Sequence, residues 1–142
     1  MMSRLPASKA TLGDELPAKQ VRVKRDDLVR YAGASLDFNP IHWNERFADE
    51  VGLPGVIAHG MLTMALANEL VSDWVGDPGA VIETTTKFTR PVPVPNDGVG
   101  ALLEITGKVT EVREDGTAKV SVTVTFEGQT VLGRPTATVK LG

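Results

Sequence analysis

Apolar and polar positions alternate most clearly near the C-terminal end, where Val120, Val122, Val124 and Phe126 interleave with Ser121, Thr123 and Thr125. A period of two places one set on a buried sheet face and the other toward solvent. Strands are likewise expected over residues 81–89, rich in threonine and β-branched side chains, and over 101–112. Glu114-Asp115-Gly116 is a hairpin turn, and Glu127-Gly128-Gln129 leads into a last strand ending at Leu141. Pro135 interrupts that strand, so an edge or a bulge is expected there. Near the start, Gln20-Val21-Arg22-Val23-Lys24 alternates as a short strand.

The pattern changes to a helical period in three places. Leu28, Tyr31 and Ala32 recur at i, i+3, i+4 behind the acidic pair Asp26-Asp27, which predicts a short helix. Asn44 can cap a second short helix running through Val51, closed by the turn Gly52-Leu53-Pro54-Gly55. Over residues 60–74, Met61, Leu62, Met64, Ala65, Leu66, Leu70 and Val71 cover more than one face. A helix apolar nearly all round is buried, so this one is expected at the centre of the fold. Gly76-Asp77-Pro78-Gly79 stops it. Helices first and strands afterwards, around one buried helix, predict an α+β fold with a mostly antiparallel sheet. Residues 1–142 fit one domain, with residues 1–11 loosely held.

Composition removes several function classes. The net charge of −3 gives no basic footprint for nucleic acid, and 5% aromatic content gives few stacking platforms. With no cysteine, disulfides, cysteine-ligated zinc and a cysteine nucleophile are excluded. The start has no apolar signal-peptide core, and the most apolar run, residues 56–71, carries His59, Asn68 and Glu69. A bilayer span needs about 20 apolar residues. A cytoplasmic protein without a membrane segment is expected.

Candidate chemistry centres on Ser35-Leu36-Asp37-Phe38-Asn39-Pro40-Ile41-His42. Pro40 lacks an N–H and pushes Asn39 out of the helical region, so the stretch is a turn that projects polar side chains. A carboxyl and an imidazole on one rigid loop suit general acid–base work. The bland alternative is that Asp37 hydrogen-bonds the turn while His42 is a partly buried polar residue. The two histidines lie far apart in sequence with no ligand-spaced carboxylates, so no metal set is expected.

A second constellation is Ala58-His59-Gly60-Met61-Leu62, where a loop enters the central helix. Free N–H groups and the positive end of the helix dipole gather there. Gly60, without a side chain, would let a substrate carbonyl approach those amides; alternatively it only lets the helix start pack against a strand. His59 is expected to be a structural, hydrogen-bonding histidine. Asn68, about two turns along, must find a partner or cost ~1–3 kcal/mol; it could orient a water or Asp37, or satisfy a backbone group. Residues 90–98 form a proline-punctuated crossover, or the rim of a substrate tunnel.

Residues 31–42 together with Ala48 closely resemble the hydratase-2 motif of MaoC-like enoyl hydratases and dehydratases. The 58–62 stretch is similar to that family's entry into its helix. Ser72-Asp73-Trp74-Val75-Gly76-Asp77-Pro78-Gly79-Ala80-Val81, Phe88-Thr89 and residues 92–98 resemble the catalytic B subunit of the actinobacterial (3R)-hydroxyacyl-acyl carrier protein dehydratase of mycolic acid synthesis. The family usually has glycine before the aspartate, where this chain has Leu36.

The resemblance implies a hot-dog fold, an antiparallel sheet wrapped around a long helix. It implies reversible loss of water from a (3R)-3-hydroxyacyl thioester, carried on acyl carrier protein or CoA, in fatty acid or mycolic acid elongation. Asp37 and His42 would be the catalytic pair and the Gly60 N–H the oxyanion donor, with Asn39, Asn68 and His59 in support and no cofactor or metal. His42 is assigned as base and Asp37 as orienter and proton donor through water, with the opposite division kept open because coupled groups titrate as a pair. A dimer is implied, either a homodimer or a heterodimer with a paralogous hot-dog subunit. A hot-dog acyl thioesterase and an acyl-binding subunit of a heteromeric dehydratase are the competing readings.

Overall fold

The computed structural model describes residues 3–142. In chain order it contains β1 (Glu15–Val23), α1 (Arg25–Ser35), α2 (Glu45–Glu50), α3 (Gly60–Val75), β2 (Val81–Phe88), β3 (Ala101–Val112), β4 (Thr117–Phe126), β5 (Gln129–Thr130) and β6 (Leu132–Lys140). The strands form one antiparallel sheet in the order β1-β3-β4-β6-β2, with β5 paired to β4. The sheet packs against α3. This is the hot-dog arrangement that the sequence implied.

Alternation along β3 and β4 turns Leu103, Ile105, Val109, Val120, Val122 and Val124 inward. They meet Ala67, Leu70, Val71 and Val75 of α3, and each fully buried aliphatic side chain contributes ~1.5–3 kcal/mol. Gly107 permits the close approach. A Cβ there would lie 3.2 Å from Leu16 and 3.3 Å from Leu70.

Several expectations change in detail. α3 is not buried all round: Thr63, Ala67, Leu70, Val71 and Val75 face the sheet, whereas Met61 and Ala65 are exposed. β1 starts at Glu15 rather than Gln20, because a register shift between Leu16 and Lys19 hides the alternation. That shift accommodates Pro17 in an edge strand. Pro135 sits in an interior strand, next to Arg134 at φ 48° and within the shift between the Thr85 and Lys87 pairings. It is therefore at a bulge and not at an edge.

The N-terminal stretch expected to be loose is tied down over its described part. Leu5 N–H donates to the Val75 carbonyl at 2.7 Å, Gly142 N–H donates to the Leu5 carbonyl at 2.9 Å, and Arg4 pairs with Asp77. Residues 1 and 2 lie outside the described residues. No described helix is long and apolar enough to cross a membrane.

Candidate active site

α1 ends at Leu36 in the left-handed conformation (φ 63°, ψ 19°), its N–H donating to the Ala32 carbonyl at 2.8 Å. Glycine is the usual residue for this helix stop, and a residue with a Cβ pays about 1–2 kcal/mol. Leu36 thus adopts a conformation that glycine takes without a Cβ penalty, and the chain still turns to deliver Asp37. Beyond it the loop is built from side-chain-to-backbone bonds. Asp37 N–H donates to Ser35 Oγ, Asn39 N–H to Asp37 Oδ1 and Ile41 N–H to Asn39 Oδ1, each at 3.2 Å. Pro40 opens the tight turn Pro40–His42, where its missing N–H costs nothing.

His42 is 7% exposed, and its Nδ1 lies 2.7 Å from the Ile57 carbonyl. A carbonyl only accepts, so Nδ1 carries the proton and Nε2 is left bare. Nε2 lies 3.9 Å from Oδ2 of the half-exposed Asp37. That exceeds hydrogen-bond length, and both atoms are acceptors when Asp37 is ionised. The gap suits a proton-bearing group between them, a water or a substrate hydroxyl.

His59 is 2% exposed, and its Nε2 lies 3.1 Å from the Asp37 carbonyl oxygen. Its ring stacks on His42 with centroids 3.7 Å apart, and Tyr31 meets it edge-on at 4.7 Å. Burial holds its imidazole below the ordinary histidine range; the neighbouring His42 adds to this, while the Asp37 carbonyl and carboxylate act against it. The histidines that are distant in sequence are therefore neighbours in space. Donor atoms of Asp37, His42 and His59 lie within 4.8 Å of one another. The rings are stacked with centroids 3.7 Å apart and planes only 22° from parallel, so their in-plane lone pairs do not meet at one point, as two Zn–N bonds of ~2.0–2.1 Å require.

α3 begins at Gly60. Leu62 and Thr63 donate their N–H groups to the His59 carbonyl, whereas those of Gly60 and Met61 have no acceptor among the described residues. Such unsatisfied amides at a helix start attract negative charge. A Cβ on Gly60 would lie 2.7 Å from Cδ1 of Phe88. The packing reading of Gly60 is therefore realised, and the amide end stays open as well.

Asp37, His42, His59 and Gly60 line one cavity of about 390 Å³. Asn39 and Asn68 do not line it. Asn39 acts as the cap of the 40–42 turn, and Asn68 is half-buried further along α3, its carbonyl accepting from Ser72 Oγ. Thr63, Phe88 and Arg90 also line the cavity and were not foreseen individually, although residues 90–98 were expected as a possible rim. The aromatic that ends β2 was the one available signal. A larger concavity of about 960 Å³ opens beside residues 93–97. It holds no histidine, and its Arg25 is bound to Glu45 and the Val94 carbonyl, whereas the carboxyl and imidazole of Asp37 and His42 line the smaller cavity together.

Residues 8–127 match the family model described as MaoC like domain. The (R)-specific enoyl-CoA hydratase of Rhodospirillum rubrum is 32% identical over 117 residues, covering 80% of this chain and 81% of that protein. A solved MaoC-like dehydratase superimposes with a TM-score of 0.94 at 40% identity, over 99% of this chain and 43% of that longer one. The (3R)-hydroxyacyl-ACP dehydratase complex of Mycobacterium tuberculosis is only 16% identical, with a TM-score of 0.71. That similarity shows the fold alone, so the special closeness to the mycolic acid enzyme's B subunit is not supported. The chain belongs to the MaoC-like dehydratase family, and the hydratases and dehydratases among its named relatives are hydro-lyases.

Proposed function

We propose that this chain catalyses the reversible dehydration of (3R)-3-hydroxyacyl thioesters to trans-2-enoyl thioesters. The observation that carries the reading is the bare His42 Nε2 facing Asp37 Oδ2 across 3.9 Å, in a cavity also lined by Gly60. Removing the weakly acidic C2 proton needs a base together with stabilisation of the charge that grows on the thioester oxygen. His42 Nε2 takes that proton, and the amides at the start of α3 receive the oxygen. The 3-hydroxyl sits against Asp37. The proton held by His42 returns to the departing hydroxyl across the Asp37 gap. One water leaves, and the pair ends in its starting protonation state.

The substrate is held as a thioester of CoA or of acyl carrier protein, in fatty acid or mycolic acid elongation. Assembly is part of the reading. β2 is an edge strand, and Ile82, Phe88 and Met61 are large apolar side chains exposed on or near it. A second hot-dog subunit, identical or paralogous, would cover them.

The test is hydration of a trans-2-enoyl-CoA by the purified protein, followed as loss of enoyl absorbance. Turnover that disappears in Asp37→Asn and His42→Ala supports the reading. Activity that survives in both variants, or release of free thiol as a thioesterase would give, overturns it.

A further inference from the structure

His59 is buried more deeply than His42, yet the chemistry above does not use it. Its placement excludes one ordinary role, the capping of the helix that it precedes. It precedes α3 as the N-cap residue but makes no side-chain capping bond. Its Nε2 is committed to the Asp37 carbonyl, which requires the proton on Nε2 and leaves Nδ1 as an acceptor. That Nδ1 is buried without a partner among the described residues. A polar atom left so is an expense that calls for a role elsewhere in the ring.

The role follows from how the catalytic loop is held. Asp37's other bonds, to Ser35 and Asn39, stay within the loop itself. Among the described residues, its one hydrogen bond to a distant part of the chain is the one that His59 donates. His42, by contrast, is anchored at Ile57, two residues before His59, where the Ile57 N–H also donates to the Ile41 carbonyl. The 57–59 stretch is itself fixed to residues 92–93, by the Ala58 N–H to the Val92 carbonyl and the bridge of Ile57 to Pro93. Gly60 follows directly. One short segment thus carries the base, the carboxylate's backbone and the open amides. Leu36 makes the Asp37 anchor matter more. Its left-handed conformation is unfavourable for a residue that carries a Cβ, so the loop does not hold this shape by local preference alone.

We propose that His59 is a positioning residue for the Asp37–His42 pair: its Nε2–H pins the Asp37 main chain, and its ring face supports the His42 imidazole. This deepens the dehydratase reading and rests on it. Two substitutions separate the two contributions. His59→Phe keeps a flat ring against His42 and removes the donor. His59→Gln keeps a donor near the Nε2 position and removes the aromatic face.

The experiment measures kcat and KM for hydration of crotonyl-CoA, corrected for the folded fraction, with a long-range ¹H–¹⁵N histidine spectrum of the wild-type protein. His59→Phe is expected to lose at least ~10-fold in kcat with KM within ~2-fold, as misplacement of a reacting group by about 1 Å can cost 10²-fold. His59→Gln is expected to recover to within ~3-fold of wild type. The spectrum is expected to show His59 protonated at Nε2 only. Wild-type kcat in His59→Phe, or a Gln variant as slow as Phe, overturns the proposal. A His59 ring protonated at Nδ1 overturns it as well, and this result does not depend on the variants folding. Inactivity of the wild-type protein on enoyl thioesters would sink the dehydratase reading instead, leaving the spectrum to judge the His59 bond.

Discussion

His42 and Asp37 face each other with their acceptor atoms 3.9 Å apart, and the bond from His42 Nδ1 to the Ile57 carbonyl turns the bare Nε2 toward that gap. Removing either group should abolish proton transfer without unfolding the chain, since the core lies on the sheet side of α3. Asp37→Asn and His42→Ala are each expected to lower kcat by ~10²–10⁴-fold. Their circular dichroism and urea midpoints should stay close to wild type. A parallel loss of structure and activity would count against a catalytic role.

Leu36 holds a left-handed backbone, and its φ of 63° shows what the position demands. Leu36→Gly removes a left-handed cost of about 1–2 kcal/mol and adds unfolded-chain entropy worth ~0.5–1 kcal/mol. The net expectation is a small stabilisation, up to ~1 kcal/mol, read as a raised urea midpoint. Leu36→Val, β-branched and still left-handed, should lower that midpoint and kcat together.

Gly60 carries two roles that a pair of substitutions can separate. Gly60→Ala drives a methyl into the Phe88 ring, and such overpacking costs ~1–3 kcal/mol. Adding Phe88→Ala should relieve the clash and restore stability. If the open amides receive the thioester oxygen, the double variant stays ~10–10³-fold below Phe88→Ala alone in kcat. Equal kcat in the two proteins would leave Gly60 with packing as its sole role.

The buried His59 links pH to stability with a definite sign. Its folded pKa is pushed below the unfolded value near 6.5, chiefly by burial, so below that pH the unfolded chain binds a proton that the folded chain resists. The stability it contributes is present above about pH 6.5 and is lost as pH falls toward its folded pKa. Tyr31, His42 and Asp37 are the titratable groups against it. Between pH 7.5 and 5.5 the wild-type urea midpoint should drop more than that of His59→Gln. Matching slopes in the two proteins would show that His59 titrates normally.

These tests also mark how far the sequence could be read. The bounds of β3 at Ala101 and Val112 are readable because alternation holds from Ala101 to Thr110, across Gly107, and the turn residues 114–116 follow; Asn44 is readable as a cap, and the Phe47 N–H donates to its side chain. β1 was cut short because Pro17 and a register shift broke the pattern that identifies strands. Proline chemistry, helix-start chemistry and family resemblance single out Asp37, His42 and Gly60, and the structure brings the three to one cavity. The His42–His59 stack was not, because it exists only once the 57–60 segment folds back over the 37–42 loop. Asn68 was singled out for its polarity on an apolar helix, but α3 exposes one flank and supplies that amide with a half-solvated setting.

The most direct measurement follows enoyl absorbance while the purified protein is mixed with (3R)- or (3S)-3-hydroxyacyl-CoA. The proposed (3R)-hydroxyacyl dehydratase activity predicts that absorbance rises with the (3R) substrate, stays flat with the (3S) one, and reverses on adding the trans-2-enoyl product. Release of thiol without enoyl formation, or equal turnover of both stereoisomers, would contradict it.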